Sequence, residues 1–204
     1  MESDRIKWDE RYGGDGYLFS LTPSRLLAGR IEEICALVAG RRALDIACGE
    51  GRNAIFLARK GFLVDAVDIS ERGLERGRRR AEQLGLTVNF LRADLEQYRL
   101  QEVYDLIVDF NFLLRPLIPS MVQSLAPGGV MLMETILDAP ALEGVHTGEF
   151  LLQPGELGRI FAQYPGCILL LEEDPSLETP VARVMFQKAL QVGSQACETP
   201  RARP

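Results

Sequence analysis

Asp45, Gly49, Gly51, Asp68 and Asp94 have the types and spacing to do chemistry together. The glycines stand in "DIACGEGRNA", between two apolar runs, and the two later acids close the runs "FLVDAVD" and "NFLRAD". Glycine lets the polar end of a ligand approach the backbone closely. Acids at the carboxyl ends of neighbouring parallel strands meet at one crevice, where a ribose and a base can be held.

As a pattern, Gly49-x-Gly51-x-x-Ala54 with Asp68 downstream matches a dinucleotide fingerprint. Its charges favour a different ligand. A pyrophosphate wants bare N–H groups and no nearby carboxylate, yet Asp45 precedes the turn and Glu50 lies between the glycines. S-adenosylmethionine suits such a corner, with a sulfonium and an ammonium beside its adenosine and no phosphate. In this reading Asp45 acts through its field or by fixing the loop, Asp68 accepts from the ribose hydroxyls, and Asp94 receives the adenine amino group. Each acid has a plainer alternative as a helix cap or a solvated group. Cys48 reads as a small buried filler, since no partner base for a nucleophile is evident.

These residues need a scaffold of alternating elements. "RALDIA", "FLVDAVDI", "TVNFLRAD", "VYDLIVDF" and "VMLMETI" read as strands. Amphipathic runs mark the helices: "SRLLAGRIEEICALVAG", with Ser24 as cap and Gly40 as stop; "GRNAIFLARK", closed by a left-handed Gly61; and "ERGLERGRRRAEQL", closed at Gly85. Pro119 opens a further helix through "SMVQSLA", which "PGG" stops. Strands and helices in this order demand parallel crossovers, hence an α/β, Rossmann-like, doubly wound sheet with helices on both faces. After a long irregular insertion and a short helix near Pro154, "CILLLEED" and "VARVMFQKAL" are too close for a crossover and predict an antiparallel hairpin. Residues 1–23 read as a segment covering the substrate, 24–190 as the main domain and 191–204 as a disordered tail.

With 204 residues, of which 47% are hydrophobic, the chain can bury one sizeable core. Its 23 basic and 29 acidic side chains give a formal charge of -6, which favours neither a nucleic-acid backbone nor an anionic membrane as partner. The run "ERGLERGRRR" reads as the solvated face of a helix. Cysteines at 35, 48, 167 and 197 form no C-x-x-C, and His146 is the single histidine, so no metal site is expected. No apolar run reaches membrane-spanning length and the start lacks a signal-peptide core, so a soluble, cytoplasmic protein is expected.

"LDIACGEGRN", "VDAVDIS", "RADLE" and the stretch "YDLIVDFNFLLRPLIPSMVQSLAPGGVMLMET" together resemble the class I S-adenosylmethionine-dependent methyltransferases, over roughly residues 24–188. The opening "WDERYGGDGYLF" and the "ACGEGRNA" variant are more narrowly similar to the small-molecule, tellurite-resistance type. The resemblance implies seven strands, the last antiparallel, and transfer of a methyl group to a small-molecule acceptor by in-line displacement. It places cofactor contacts at Tyr12, Asp45, Cys48, Gly49, Gly51 and Asn53, and further on at Asp68, Ile69, Asp94, Leu95 and Asn111. Asn111 and Arg115, after the fourth strand, and His146, in the insertion, are the candidates for the acceptor side. Arg115 either pairs with an anionic acceptor or with a neighbouring acid; His146 either helps bind or deprotonate the acceptor or is an exposed histidine without a role. Tyr12, Tyr17 and Phe19 form an aromatic lid or cover an apolar sheet edge, and Trp8 is structural. "FNFLLRP" lacks the Asn-Pro-Pro-aromatic motif of amino-group DNA methyltransferases. The alternatives are a nicotinamide-dependent oxidoreductase and a non-catalytic adenosine-ligand-binding protein of this fold.

Overall fold

The computed structural model describes residues 2–142, 150–176 and 179–190. The elements run α1 (Glu2–Arg11), α2 (Arg25–Leu37), β1 (Arg42–Ile46), α3 (Arg52–Arg59), β2 (Leu63–Asp68), α4 (Glu71–Gln83), β3 (Asn89–Arg92), β4 (Tyr104–Phe110), α5 (Ile118–Ser124), β5 (Leu125–Ile136), α6 (Glu156–Phe161), β6 (Gly166–Asp174) and β7 (Val181–Lys188). They build one seven-stranded sheet in the order β3-β2-β1-β4-β5-β7-β6. β7 is antiparallel to both β5 and β6. The α/β Rossmann-like architecture and the terminal hairpin are therefore as the sequence led one to expect.

Alternation along the central strands explains their unbroken apolar runs. In β5, Val130 and Leu132 enter the core beneath α2, α3 and α4, while Met131 and Met133 enter the core shared with α5 and α6. A strand buried on both faces has no polar phase. Order reverses between β1 and β4, so the crevice above their carboxyl ends is the switch point where open α/β sheets bind ligands.

Several boundaries differ from the expectation, for tertiary reasons. Gly61 and Gly85 are left-handed, with φ of 84° and 64°. Gly40, however, lies beyond the end of α2, where its N–H donates to Asp105 Oδ1 at 3.1 Å and a Cβ would collide with that carboxylate. Ser24 precedes α2 but makes no side-chain cap bond; its N–H donates to Asn53 Oδ1 at 2.9 Å, an anchor to α3 instead. α5 stops at Ser124, because Leu125 already pairs with Tyr104, and the ladder then jumps to Leu106–Val130 across the "PGG" bulge. β3 is held to four residues, with β2 as its single partner. No described helix is long and apolar enough to cross a membrane. The expected tail, 191–204, lies outside the described residues.

Candidate functional site

The turn from β1 to α3 packs three left-handed residues into five positions: Ala47 (φ 51°), Gly49 (φ 56°) and Gly51 (φ 75°). Cys48 N–H donates to Val67 O at 3.0 Å, tying the turn to β2. Asp68 completes the corner. Its Oδ2 accepts from Gly49 N at 2.8 Å and its Oδ1 from Ser70 N at 2.9 Å, so one carboxylate spans the glycine turn and the start of α4. Burial pushes its pKa up, against the lowering effect of these backbone donors. Asp45 is buried on the α3 side, where Oδ2 accepts from Ala54 N at 2.9 Å. It fixes the loop by holding the N-terminus of α3, and burial pushes its pKa up to about 7.

Glu50 corrects the charge argument made from sequence. It is buried and turned outward: Oε1 accepts from Arg76 Nη1 at 2.9 Å, Oε2 from the N–H groups of Leu18 at 2.9 Å and Phe19 at 3.3 Å. Its charge is neutralised before it can act on a ligand. What disfavours a pyrophosphate is instead the occupied backbone: Gly49 N–H serves Asp68, and Gly51 N–H serves Cys48 O at 2.9 Å.

The glycines have separate reasons. A Cβ on Gly49 would stand 2.5 Å from the Tyr12 hydroxyl, so this glycine makes room for the aromatic ring above the turn. A Cβ on Gly51 would lie 2.6 Å from the Phe90 ring, a packing requirement against β3 and α4. Facing the turn from α4 are Gly73, whose Cβ would be 3.1 Å from Gly49 O, and Gly77, whose Cβ would be 2.6 Å from Phe90. Each such glycine inside a helix costs about 1 kcal/mol relative to alanine. That cost is the sequence signal that "ERGLERG" packs closely on something.

Three arginines of the same run, Arg72, Arg76 and Arg80, hold the N-terminal segment, so part of the expected solvated face is an attachment face, while Arg79 stays in solvent. Arg72 Nη1 donates to Asp9 O at 3.3 Å, and Arg80 Nη2 to Leu21 O at 2.9 Å with its guanidinium 5.9 Å from the Tyr17 ring. Asp9 Oδ1 accepts from Ser70 Oγ at 2.6 Å. Tyr12 is buried over the corner, stacked on Trp8 at 5.7 Å and edge-on to Phe19 at 6.4 Å. Burial and the nearby Asp68 and Glu50 carboxylates raise its pKa. Tyr17 and Phe19 remain exposed.

Just after Asp68, Ile69 lines a cavity of about 220 Å³ together with Glu2, Arg5, Arg92, Ala93 and Asp94. Asp94 Oδ1 accepts from Glu96 N at 3.1 Å. Leu95 is buried in the α5–α6 core, Cys48 is buried with its thiol pKa pushed up by burial, and Asn53 holds Ser24. Asn53, Cys48 and Leu95 thus shape the site from behind. A small cavity with Ile69 and Ala93 as its apolar part and Asp94 as a nearby acceptor follows directly on the carboxylate that bridges the glycine turn. It has the groups to hold a nucleoside such as that of S-adenosylmethionine.

On the other side of the switch point, Asn111 is exposed and left-handed (φ 60°), its N–H donating to Glu134 O at 2.8 Å. Arg115 forms a two-point pair with Glu156 (Nε–Oε1 2.5 Å, Nη2–Oε2 2.9 Å) and donates to Leu151 O at 2.8 Å. Of its two expected roles, pairing with a neighbouring acid is the one seen. It pins the end of the insertion to the turn after β4. His146 lies outside the described residues. The central strand also carries Asp109, which is fully buried with neither oxygen hydrogen-bonded; sequence reading passed over it because "LIVDF" looks like strand.

A model of the methyltransferase domain matches residues 43–129. The ubiquinone biosynthesis O-methyltransferase of Rickettsia canadensis is 25% identical over 154 residues, covering 71% of this chain and 65% of that protein. The probable S-adenosyl-L-methionine-dependent methyltransferase TehB of Haemophilus influenzae is 28% identical over 100 residues, 48% of this chain and 35% of that one. The chain spans under two thirds of the length of the curated relatives it matches. Among solved structures, TehB from Haemophilus influenzae superposes with a TM-score of 0.67 at 19% identity over 90% of this chain and 66% of that one. Magnesium protoporphyrin IX methyltransferase from Synechocystis, with bound SAH, superposes with a TM-score of 0.64 at 17% identity over 92% of this chain and 95% of that one.

Proposed function

We propose that this chain, a member of the class I S-adenosylmethionine-dependent methyltransferase superfamily, transfers a methyl group from S-adenosylmethionine to a small-molecule acceptor. The observation that carries the reading is Asp68, a buried carboxylate at the end of β2 that bridges the glycine turn and is followed by Ile69 in the wall of the cavity. When bound, the cofactor supplies a methyl group already activated by its sulfonium. The protein's work is then to align the acceptor and exclude water.

Asp68 binds the ribose, Ile69 and Ala93 flank the adenine, and Asp94 takes its amino group. Gly49 and Tyr12 border the amino-acid end, while Asp45 keeps the turn in shape. Residues 2–23 cover the site, and residues 24–190 form the transferase domain. Asn111 faces the acceptor; Arg115 positions the wall around Leu151 rather than touching the acceptor. The likeness of "WDERYGGDGYLF" and "ACGEGRNA" to the tellurite-resistance type, with 28% identity to the probable TehB over 100 residues, supports a small acceptor.

Calorimetric titration with S-adenosylmethionine, its demethylated product and NAD tests the reading. The first two should bind and NAD should not. Asp68→Ala should weaken both by about 10- to 100-fold, the value of hydrogen bonds to a charged acceptor. Binding of NAD alone, or unchanged affinity in the variant, would overturn it.

A further inference from the structure

Residues 12–23 contain no helix or strand, yet they lie on the domain through side chains that would otherwise belong to solvent. Arg72, Arg76 and Arg80 recur at intervals of four on α4 and so share one face. All three reach the N-terminal segment. The central one does most. Arg76 donates to the carbonyls of Gly14 and Gly16 and, at 2.9 Å, to Glu50 Oε1. Glu50 in turn accepts from the backbone of Leu18 and Phe19 through its other oxygen.

Glu50 sits between Gly49 and Gly51, its side chain 5% exposed. A carboxylate buried in this way needs full pairing, and here every partner comes from α4 or the strap. The turn that floors the cofactor corner is therefore also the strap's anchor. Tyr12, at the strap's start, has its hydroxyl against Gly49 in the same corner.

We propose that Arg76 is a positioning residue for the cofactor: shared between Glu50 and the carbonyls of Gly14 and Gly16, it holds residues 12–23 closed over the glycine turn, so that strap closure and cofactor retention are one event. The inference rests on the proposed methyltransferase function. Without Arg76, Glu50 loses its counter-ion, the strap of residues 12–23 loosens, and bound cofactor escapes faster.

The test uses the full chain with S-adenosylhomocysteine as probe. Its release rate is measured by stopped flow, and chymotrypsin cleavage at Tyr17–Phe19 is followed with and without the probe. Arg76→Ala should raise the release rate about 10- to 100-fold and leave Tyr17–Phe19 cleavable even with probe bound. Arg76→Lys keeps the charge but not the multi-point geometry and should fall between; it carries the test if the alanine variant does not fold. Arg79→Ala, whose side chain is 73% exposed, should match wild type. Wild-type release and protection in both Arg76 variants would overturn the proposal. Failure of wild type to bind the probe would instead sink the methyltransferase reading, and unequal cleavage of the probe-free proteins would still report whether Arg76 holds the strap.

Discussion

Asp109→Asn isolates one ionisable group whose cost the structure makes explicit. The side chain lies in β4 between Ile46 of β1 and Met133 of β5, fully buried, with neither oxygen hydrogen-bonded. Burial, and secondarily the Asp45 carboxylate, hold its pKa well above the ordinary value. The folded protein therefore keeps a proton that the unfolded chain releases above about pH 4. Stability contributed by this group is complete below that pH and is lost as pH rises towards the folded-state pKa, at about 1.4 kcal/mol per pH unit. Asp45 adds a loss of the same sign up to about pH 7, so the wild-type slope alone cannot identify Asp109. Asparagine removes the ionisation while leaving a buried polar group of similar size. The variant should match wild type to about 1 kcal/mol near pH 4 and gain on it by about 1.4 kcal/mol per unit between about pH 4.5 and about pH 6.5. Urea unfolding followed by far-ultraviolet circular dichroism gives both curves. A difference that stays constant over that interval would refute the assignment of a neutral, unpartnered carboxyl to this strand.

The glycines of two helices should respond oppositely. Gly77→Ala puts a Cβ 2.6 Å from Phe90 and should destabilise by about 1–3 kcal/mol despite better helix propensity; Gly29→Ala in α2 meets nothing within 4 Å and should stabilise by about 0.5–1 kcal/mol, both read by denaturant midpoint. Arg115→Lys cannot reproduce the two-point pair with Glu156 and should lower acceptor turnover while donor affinity, measured calorimetrically, stays at the wild-type value. Asp45→Asn should flatten the pH dependence of stability below about pH 7, with unchanged slopes counting against its raised pKa.

The parts of the fold that were legible in the sequence are those where one residue decides a local conformation or a strand is buried on both faces. Gly61 and Gly85 close their helices in the left-handed conformation, and "VMLMETI" contains the buried stretch of β5. Ser24 stands at the N-cap of α2 as its type suggests, but its missing side-chain cap bond and the place of Gly40 beyond the helix end depend on partners, Asn53 and Asp105, that are 29 and 65 residues away. The site divides in the same way. Asp68 stands out by its place at the end of a strand, whereas the use of Arg72, Arg76 and Arg80 depends on which segment folds onto α4. Nothing in "ERGLERGRRR" names that segment, although the glycines at 73 and 77 do announce that something lies close.

The strand order has a consequence for the chain as it is made. β5 ends at Ile136, but the edge it presents is paired by Val181–Lys188, the last of the described strands, which slots between β5 and the earlier β6. As the chain leaves the ribosome, a long strand apolar on both faces waits with unpaired N–H and C=O groups until Lys188 has emerged. β6, made first, must leave that place vacant. Open edges of this kind are where nascent chains pair with the wrong neighbour. The β6–β7 hairpin is therefore what closes this edge of the sheet, on the far side of β5 from the glycine turn after β1.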